Sequence, residues 1–123
     1  SPSYIKRYGT MKSIQDIEGH RFISTVNKMD NIPQLLWLET HIPQNQIYFW
    51  ASDFVSIKEA ALNHMGIAPL VNWAIPQDTQ LIPLFAPPET WSTKLWLVTH
   101  RDIHRTAKVQ AFTQFLKKQL KGQ

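Results

Sequence analysis

The apolar positions of this chain fall into short runs separated by polar corners, and the clearest alternation spans residues 46–71, QIYFWASDFVSIKEAALNHMGIAPLV. Ile47, Tyr48, Phe49 and Trp50 form a brief run of strand-favouring types, which predicts a buried strand. Ser52 and Asp53 follow, and the side-chain oxygens of both can accept from an unpaired N–H in the first turn of a helix. Phe54, Ile57, Ala61 and Met65 then recur at helical spacing, with Lys58 and Glu59 facing elsewhere. Gly66 suits the left-handed cap that closes a helix, and residues 67–71 are apolar again, as a second strand would be. A strand–helix–strand unit of this kind implies parallel strands and a right-handed crossover. Ligands in such sheets lie beyond the carboxyl ends of the strands, which here is the corner Ala51, Ser52, Asp53 and Phe54.

The same reading extends over the rest of the chain. Residues 1–8 predict a short helix through Ile5 that stops at Gly9, and Ser13 is a candidate cap for a further turn over 14–18. Residues 21–26 predict a strand, and the polar stretch 27–33 a loop. Leu35, Leu36, Trp37 and Leu38 suggest a strand over 34–41, turned by residues 43–45 into the strand at 46–50 as a hairpin. Residues 72–76 predict a helical turn ended by Pro76. Residues 81–85 predict an edge strand carrying Pro83, and Pro87 and Pro88 a stiff connector. Residues 93–99 predict a strand, and Thr106 caps a last helix whose apolar stripe is Val109, Phe112, Leu116 and Leu120, with Phe115 beside them.

With 123 residues the chain is long enough for one cored domain, and 43% apolar content with five Trp and six Phe argues against disorder. It has no cysteine, which removes disulfides and thiolate metal sites and suits a cytoplasmic setting. No apolar run approaches the roughly 20 residues of a membrane helix, so no membrane partner is expected. The charge is uneven: residues 94–123 carry seven Lys and Arg against the single acid Asp102, while residues 1–93 are net negative. Lys117, Lys118 and Lys121 sit where they complement the negative end of a helix dipole, and no groove-reading motif accompanies them.

Several of these stretches resemble one family. Ser1, Pro2, Tyr4, Ile5, Arg7, Gly9, Ser13, Asp16, Ile17 and His20 fall on the pattern that opens the second lobe of the effector domain of LysR-type transcriptional regulators. The run HMGIAPLV is similar to that family's G-x-G-I-A element, with His64 at the first glycine and Val71 where proline is usual. LWLVTHRDIHRTAKVQAFTQFLKKQL is similar to its closing strand, polar loop and helix. The resemblance covers essentially the whole chain. It implies an α/β, type II periplasmic-binding-protein-like lobe, a three-layer arrangement of a mixed sheet flanked by helices, present as a partial domain. Residues 1–92 would be the second lobe, and residues 93–123 the closing strand and helix that in the family pack on the first lobe.

What the resemblance implies for function is an effector-sensing fragment of a regulator: a small molecule held between lobes, DNA bound through a helix-turn-helix domain missing from these residues, and no enzymatic activity. Family members place second-lobe effector contacts at the polar corner, which carries over to Ser52, with Asp53 and Phe54 adjacent. A helix N-terminus accepts anions, but Asp53 would oppose one, so either a neutral or amine-bearing effector is expected there or Asp53 is turned away from it. A lobe of a solute-binding transport protein would share the fold and is the alternative; a small enzyme is the more distant one. The residues supply no catalytic constellation and no cofactor motif. His100 and His104 stand four apart around Asp102 but precede the last helix, so they are not expected to hold a metal. His20 and His41 are expected at the surface or at strand ends, and the tryptophans in core packing. An apolar closing helix without its lobe predicts a homo-oligomer built through residues 93–123.

Overall fold

The computed structural model describes residues 1–27, 31–72, 75 and 79–121. At its centre lies a two-stranded parallel sheet formed by β1 (Phe22–Thr25) and β2 (Ile47–Ala51), in register Ile23 to Phe49, Ser24 to Trp50 and Thr25 to Ala51, with a shift between Phe22 and Ile23. The far side of β1 receives Ile67 through a parallel bridge: Ile67 N–H donates to Arg21 O and Ile23 N–H to Ile67 O, both at 2.8 Å. β1 is therefore central, and all four of its residues are buried.

Helix α2 (Pro33–His41) joins β1 to β2, and helix α3 (Phe54–Leu62) joins β2 to the Ile67 bridge. The two helices cover opposite faces. Phe22 packs with Met11, Leu35, Leu38 and Ile42, whereas Ile23 packs with Ala51, Ile57, Ala60 and Ala61. Adjacent residues of a strand point to opposite faces, so this division follows from the alternation of one central strand. The three-layer order expected from the sequence is present.

The hairpin is not. Residues 34–41 form α2 rather than a strand, and among the described residues the sheet is parallel throughout. Four consecutive apolar residues do not by themselves separate strand from helix, and the deciding cue is Pro33 in the first turn, where its missing N–H costs nothing. Leu35, Leu38 and Ile42, at helical spacing, are the residues that reach the core.

Helix α1 (Pro2–Tyr8) forms as expected, with Ser1 Oγ accepting from Tyr4 N–H and Gly9 closing it at φ +82°. The turn expected after Ser13 forms over residues 13–15 but does not run on to 18: Asp16 N–H donates to Ser13 O, and Ser13 Oγ accepts from Gln15 N–H at 3.4 Å. His20 is buried rather than at the surface, because its ring meets the buried Tyr4 hydroxyl at 3.2 Å. That hydroxyl also accepts from Arg21 N–H at 2.9 Å, so α1 is tied to the start of β1.

The end of α3 also differs from expectation. The left-handed residue is His64, at φ +64°, the position at which the resemblance expects glycine. Gly66 serves another purpose: a Cβ there would stand 2.7 Å from Arg21 O, which would push apart the bridge at Ile67. Beyond Ile67 no further strand forms among the described residues; residues 81–85 and 93–99 run without a ladder. Most of the helical turn expected at 72–76 lies outside the described residues. Of the described tryptophans, Trp37 packs against the core around Phe22, as expected, but none is fully buried. Trp37 and Trp91 pack against each other with ring centroids 5.5 Å apart, while Trp50 and Trp96 are exposed. Helix α4 (Ala107–Lys121) contributes no buried residue.

Candidate functional site

The carboxyl ends of β1 and β2 meet in a polar corner. Val26 N–H donates to Ala51 O at 2.9 Å, carrying the ladder one step past the strands, after which the chains diverge. Asn27 spans the gap: its side-chain amide donates to Ser52 O at 2.6 Å, and its own N–H is received by Thr25 Oγ1 at 3.1 Å. Ser52 is thus fixed through its backbone to the end of β1.

Asp53 caps α3. Its carboxylate accepts from Ser56 N–H at 2.8 Å and from the hydroxyls of Ser56 and Ser52, each at 3.1 Å. These donors favour the charged form, the Ser56 backbone N–H most strongly, and hold the carboxyl below its usual range. The corner consequently presents an exposed, ionised carboxylate in front of the helix N-terminus. One first-turn donor, Ser56 N–H, is already engaged by Asp53, and the carboxylate itself would oppose an anion, so the chemistry left favours a cationic or neutral polar group.

The three residues singled out from the sequence have different environments. Ser52 and Asp53 are exposed at the corner. Phe54 is half-buried and touches the hydrophobic clusters on both faces of the sheet, so its ring anchors the start of α3.

Beside the corner, on the α2 side, lies a cleft of about 230 Å³ whose polar lining includes Ser24, Thr25, Asn27, Glu39, Gln44 and Trp50. Leu35 and Leu38 of α2 give it an apolar wall. Ser24 and Thr25 are buried hydroxyl residues at the end of the central strand. Sequence reasoning did not single out this cleft. The signal was available in the run Ser24-Thr25-Val26-Asn27, a polar end to an apolar strand, which is the same cue that located Ser52.

The histidines near the closing helix are paired locally. His100 Nδ1 lies 3.4 Å from Asp102 Oδ2, and His104 Nδ1 lies 2.9 Å from Thr99 Oγ1. Among the described residues no group of three or more His, Cys, Asp or Glu side chains converges as a metal site would require, and no helix is long and apolar enough to cross a membrane.

No curated protein and no solved structure matches the chain. The family model for the LysR substrate binding domain matches residues 1–121, and that family has a type II periplasmic-binding-protein-like fold, in keeping with the parallel sheet and flanking helices seen here. The chain belongs to the LysR substrate-binding domain family.

Proposed function

We propose that this domain is the small-molecule-sensing part of a LysR-type transcriptional regulator, with the corner at Ser52, Asp53 and Phe54 as its contribution to the effector site. The observation that carries this reading is an ionised, fully exposed Asp53 at the carboxyl ends of a parallel sheet, next to a polar cleft. Its charge selects an amine-bearing or neutral polar effector over a simple anion. Ser52 and Asp53 supply polar contacts, and Phe54 supplies a fixed helix start from which they project.

In a regulator that carries a DNA-binding domain, an effector bound between lobes would act by favouring one closure over another, and the change in closure would reposition paired DNA-binding domains. The regulatory effect is limited by the difference in effector affinity between the two states. The residues of this chain would not read DNA sequence themselves, and their basic closing segment gives salt-sensitive attraction only.

The exposed apolar side chains of α4, Phe112, Phe115 and Leu120, and the unladdered residues 93–99 we assign to a second copy of the chain. Unpaired backbone and contiguous apolar side chains in one segment are what strand and helix exchange between identical chains would cover.

Thermal-shift screening of the intact regulator against metabolites, in matched amine and carboxylate series, tests the sensing role. Amine-bearing or neutral compounds are expected to stabilise it, and Ser52→Ala and Asp53→Asn to reduce that shift. Stabilisation by carboxylates alone, or an unchanged response in both variants, would defeat the assignment of the corner.

A further inference from the structure

The opposite end of the sheet has the opposite charge. Arg21 leads into β1, and in front of it lies a cleft of about 330 Å³ bounded by α1, the amino end of β1 and the turn after α3. Its cationic wall is Arg7 and Arg21. The Arg7 guanidinium carbon lies 5.4 Å from the Tyr8 ring centroid; that of Arg21 lies 5.0 Å from Tyr8 and 4.4 Å from Tyr48. No described carboxylate is within ion-pair distance of either guanidinium.

Ring faces steady a guanidinium without consuming its N–H donors, so both forks remain able to grip an oxyanion. Arg21 is held by its backbone as well: its N–H donates to Tyr4 Oη at 2.9 Å and its carbonyl accepts from Ile67 N–H at 2.8 Å. Asn63 and His64 complete the wall. His64 is kept in the left-handed region at φ +64°, a conformation that costs free energy for a residue with a side chain, and its Nδ1 is 2.7 Å from Ser1 Oγ.

We propose that this cleft is a second ligand site, distinct from the corner at Ser52 and Asp53, and that it takes a small oxyanion, a phosphate or carboxylate group, held between Arg7 and Arg21. Planar forks match either group bidentately. The two ends of the sheet then select by charge: Asp53 repels the anions that Arg7 and Arg21 attract.

The test is an NMR titration of the 123-residue chain with inorganic phosphate and, in a second arm, citrate. Saturable, concerted shifts of the Tyr8, Arg21, Tyr48 and Asn63 amides are expected in at least one arm, and the tighter arm identifies the preferred group. Arg21→Gln is expected to weaken that affinity by about tenfold or more, as loss of a charge-assisted bidentate contact does. Arg7→Gln, on the exposed side of α1, gives the same direction if Arg21→Gln perturbs folding. Lys117→Gln, a charge change in α4, should leave the affinity unaltered. Shifts that do not saturate in either arm, or a loss with Lys117→Gln equal to that with the arginine variants, would overturn the proposal.

Discussion

The central layers and the closing segment are built from similar residues and meet opposite fates. Phe22, Ile23 and Ile57 are at most 1% exposed, whereas Leu95, Trp96 and Val98 are 74, 78 and 86% exposed. Helix α3 is nine residues long and α4 fifteen, yet α3 buries Ile57, Ala60 and Ala61 and α4 buries nothing. Length and amphipathicity therefore do not decide burial. What decides it is whether a complementary face exists within the chain. β1 supplies two, one for each helix, while nothing among the described residues covers α4. Helical stability in proteins comes mainly from packing, so α4 has the pattern of a docked helix without the dock.

If that contrast is right, the largest effects of substitution will come from β1. Phe22→Ala removes a buried ring from the cluster that joins α2 to the sheet and should cost about 3 to 5 kcal/mol. Denaturant unfolding monitored by circular dichroism would measure it. A loss under about 1 kcal/mol would mean that the α2 face is loosely packed and that the two regions differ less than they do here.

Gly66→Ala comes next. The new Cβ would meet Arg21 O at 2.7 Å, and neither a backbone carbonyl nor a Cβ fixed to the backbone can swing aside. The expected cost is about 1 to 3 kcal/mol, the range for overpacking a tight contact. It should be accompanied by faster amide exchange at Ile23 and Ile67, the donors of the bridge. Ordinary exchange at those two amides would show that the bridge is not maintained by Gly66.

These residues also show where the sequence was legible. Strands β1 and β2 and helices α1, α3 and α4 follow from apolar runs, helical spacing and capping chemistry, all of which act within a few residues. The corner at Ser52 and Asp53 was found for the same reason. The misread elements depend on distant partners. Leu35, Leu36, Trp37 and Leu38 give no period until the core on one side of β1 is known. Residues 81–85 and 93–99 have strand-favouring composition, but a strand exists only through a neighbour. Burial of His20 depends on Tyr4, sixteen residues away, and the need for glycine at 66 depends on the carbonyl of Arg21. Thr25 and Asn27 were not singled out because the end of β1 meets the corner at Ser52 only through its pairing with β2.

Asp53 offers a smaller effect, confined to acid. Its folded-state pKa is depressed by the Ser56 N–H and the two serine hydroxyls, so the cap's contribution is fully present above the ordinary carboxylate range. It is lost as pH falls through the depressed value, because protonation then occurs more readily in the unfolded chain. Thermal unfolding as a function of pH should show part of the decline below about pH 4 disappear in Asp53→Asn, relative to the parent chain. The neutral-pH melting point should fall slightly, since an exposed cap is lost. An unchanged acid limb would mean that the Ser52–Asp53–Ser56 hydrogen bonds do not form in solution.

The smallest effect on the isolated chain should come from the region richest in exposed aromatics. Phe112 is half exposed on α4, so in dilute solution, where the chain is monomeric, Phe112→Ala should alter unfolding free energy by no more than about 0.5 kcal/mol. That silence holds only while the face is uncovered. Contiguous apolar patches of this kind mark interaction surfaces, and pairing through residues 93–121 would bury Leu95, Trp96, Phe112, Phe115 and Leu120 together. Association of folded chains also makes the melting point rise with protein concentration. Sedimentation equilibrium at micromolar concentration should therefore show a dimer for the parent chain and a monomer for Phe112→Glu, with only the parent melting in a concentration-dependent way. A parent chain that sediments as a monomer would remove the second copy as the occupant of α4. A Phe112→Ala variant that loses more than 1 kcal/mol in the monomeric range would go further, because it would show α4 folded back onto its own domain.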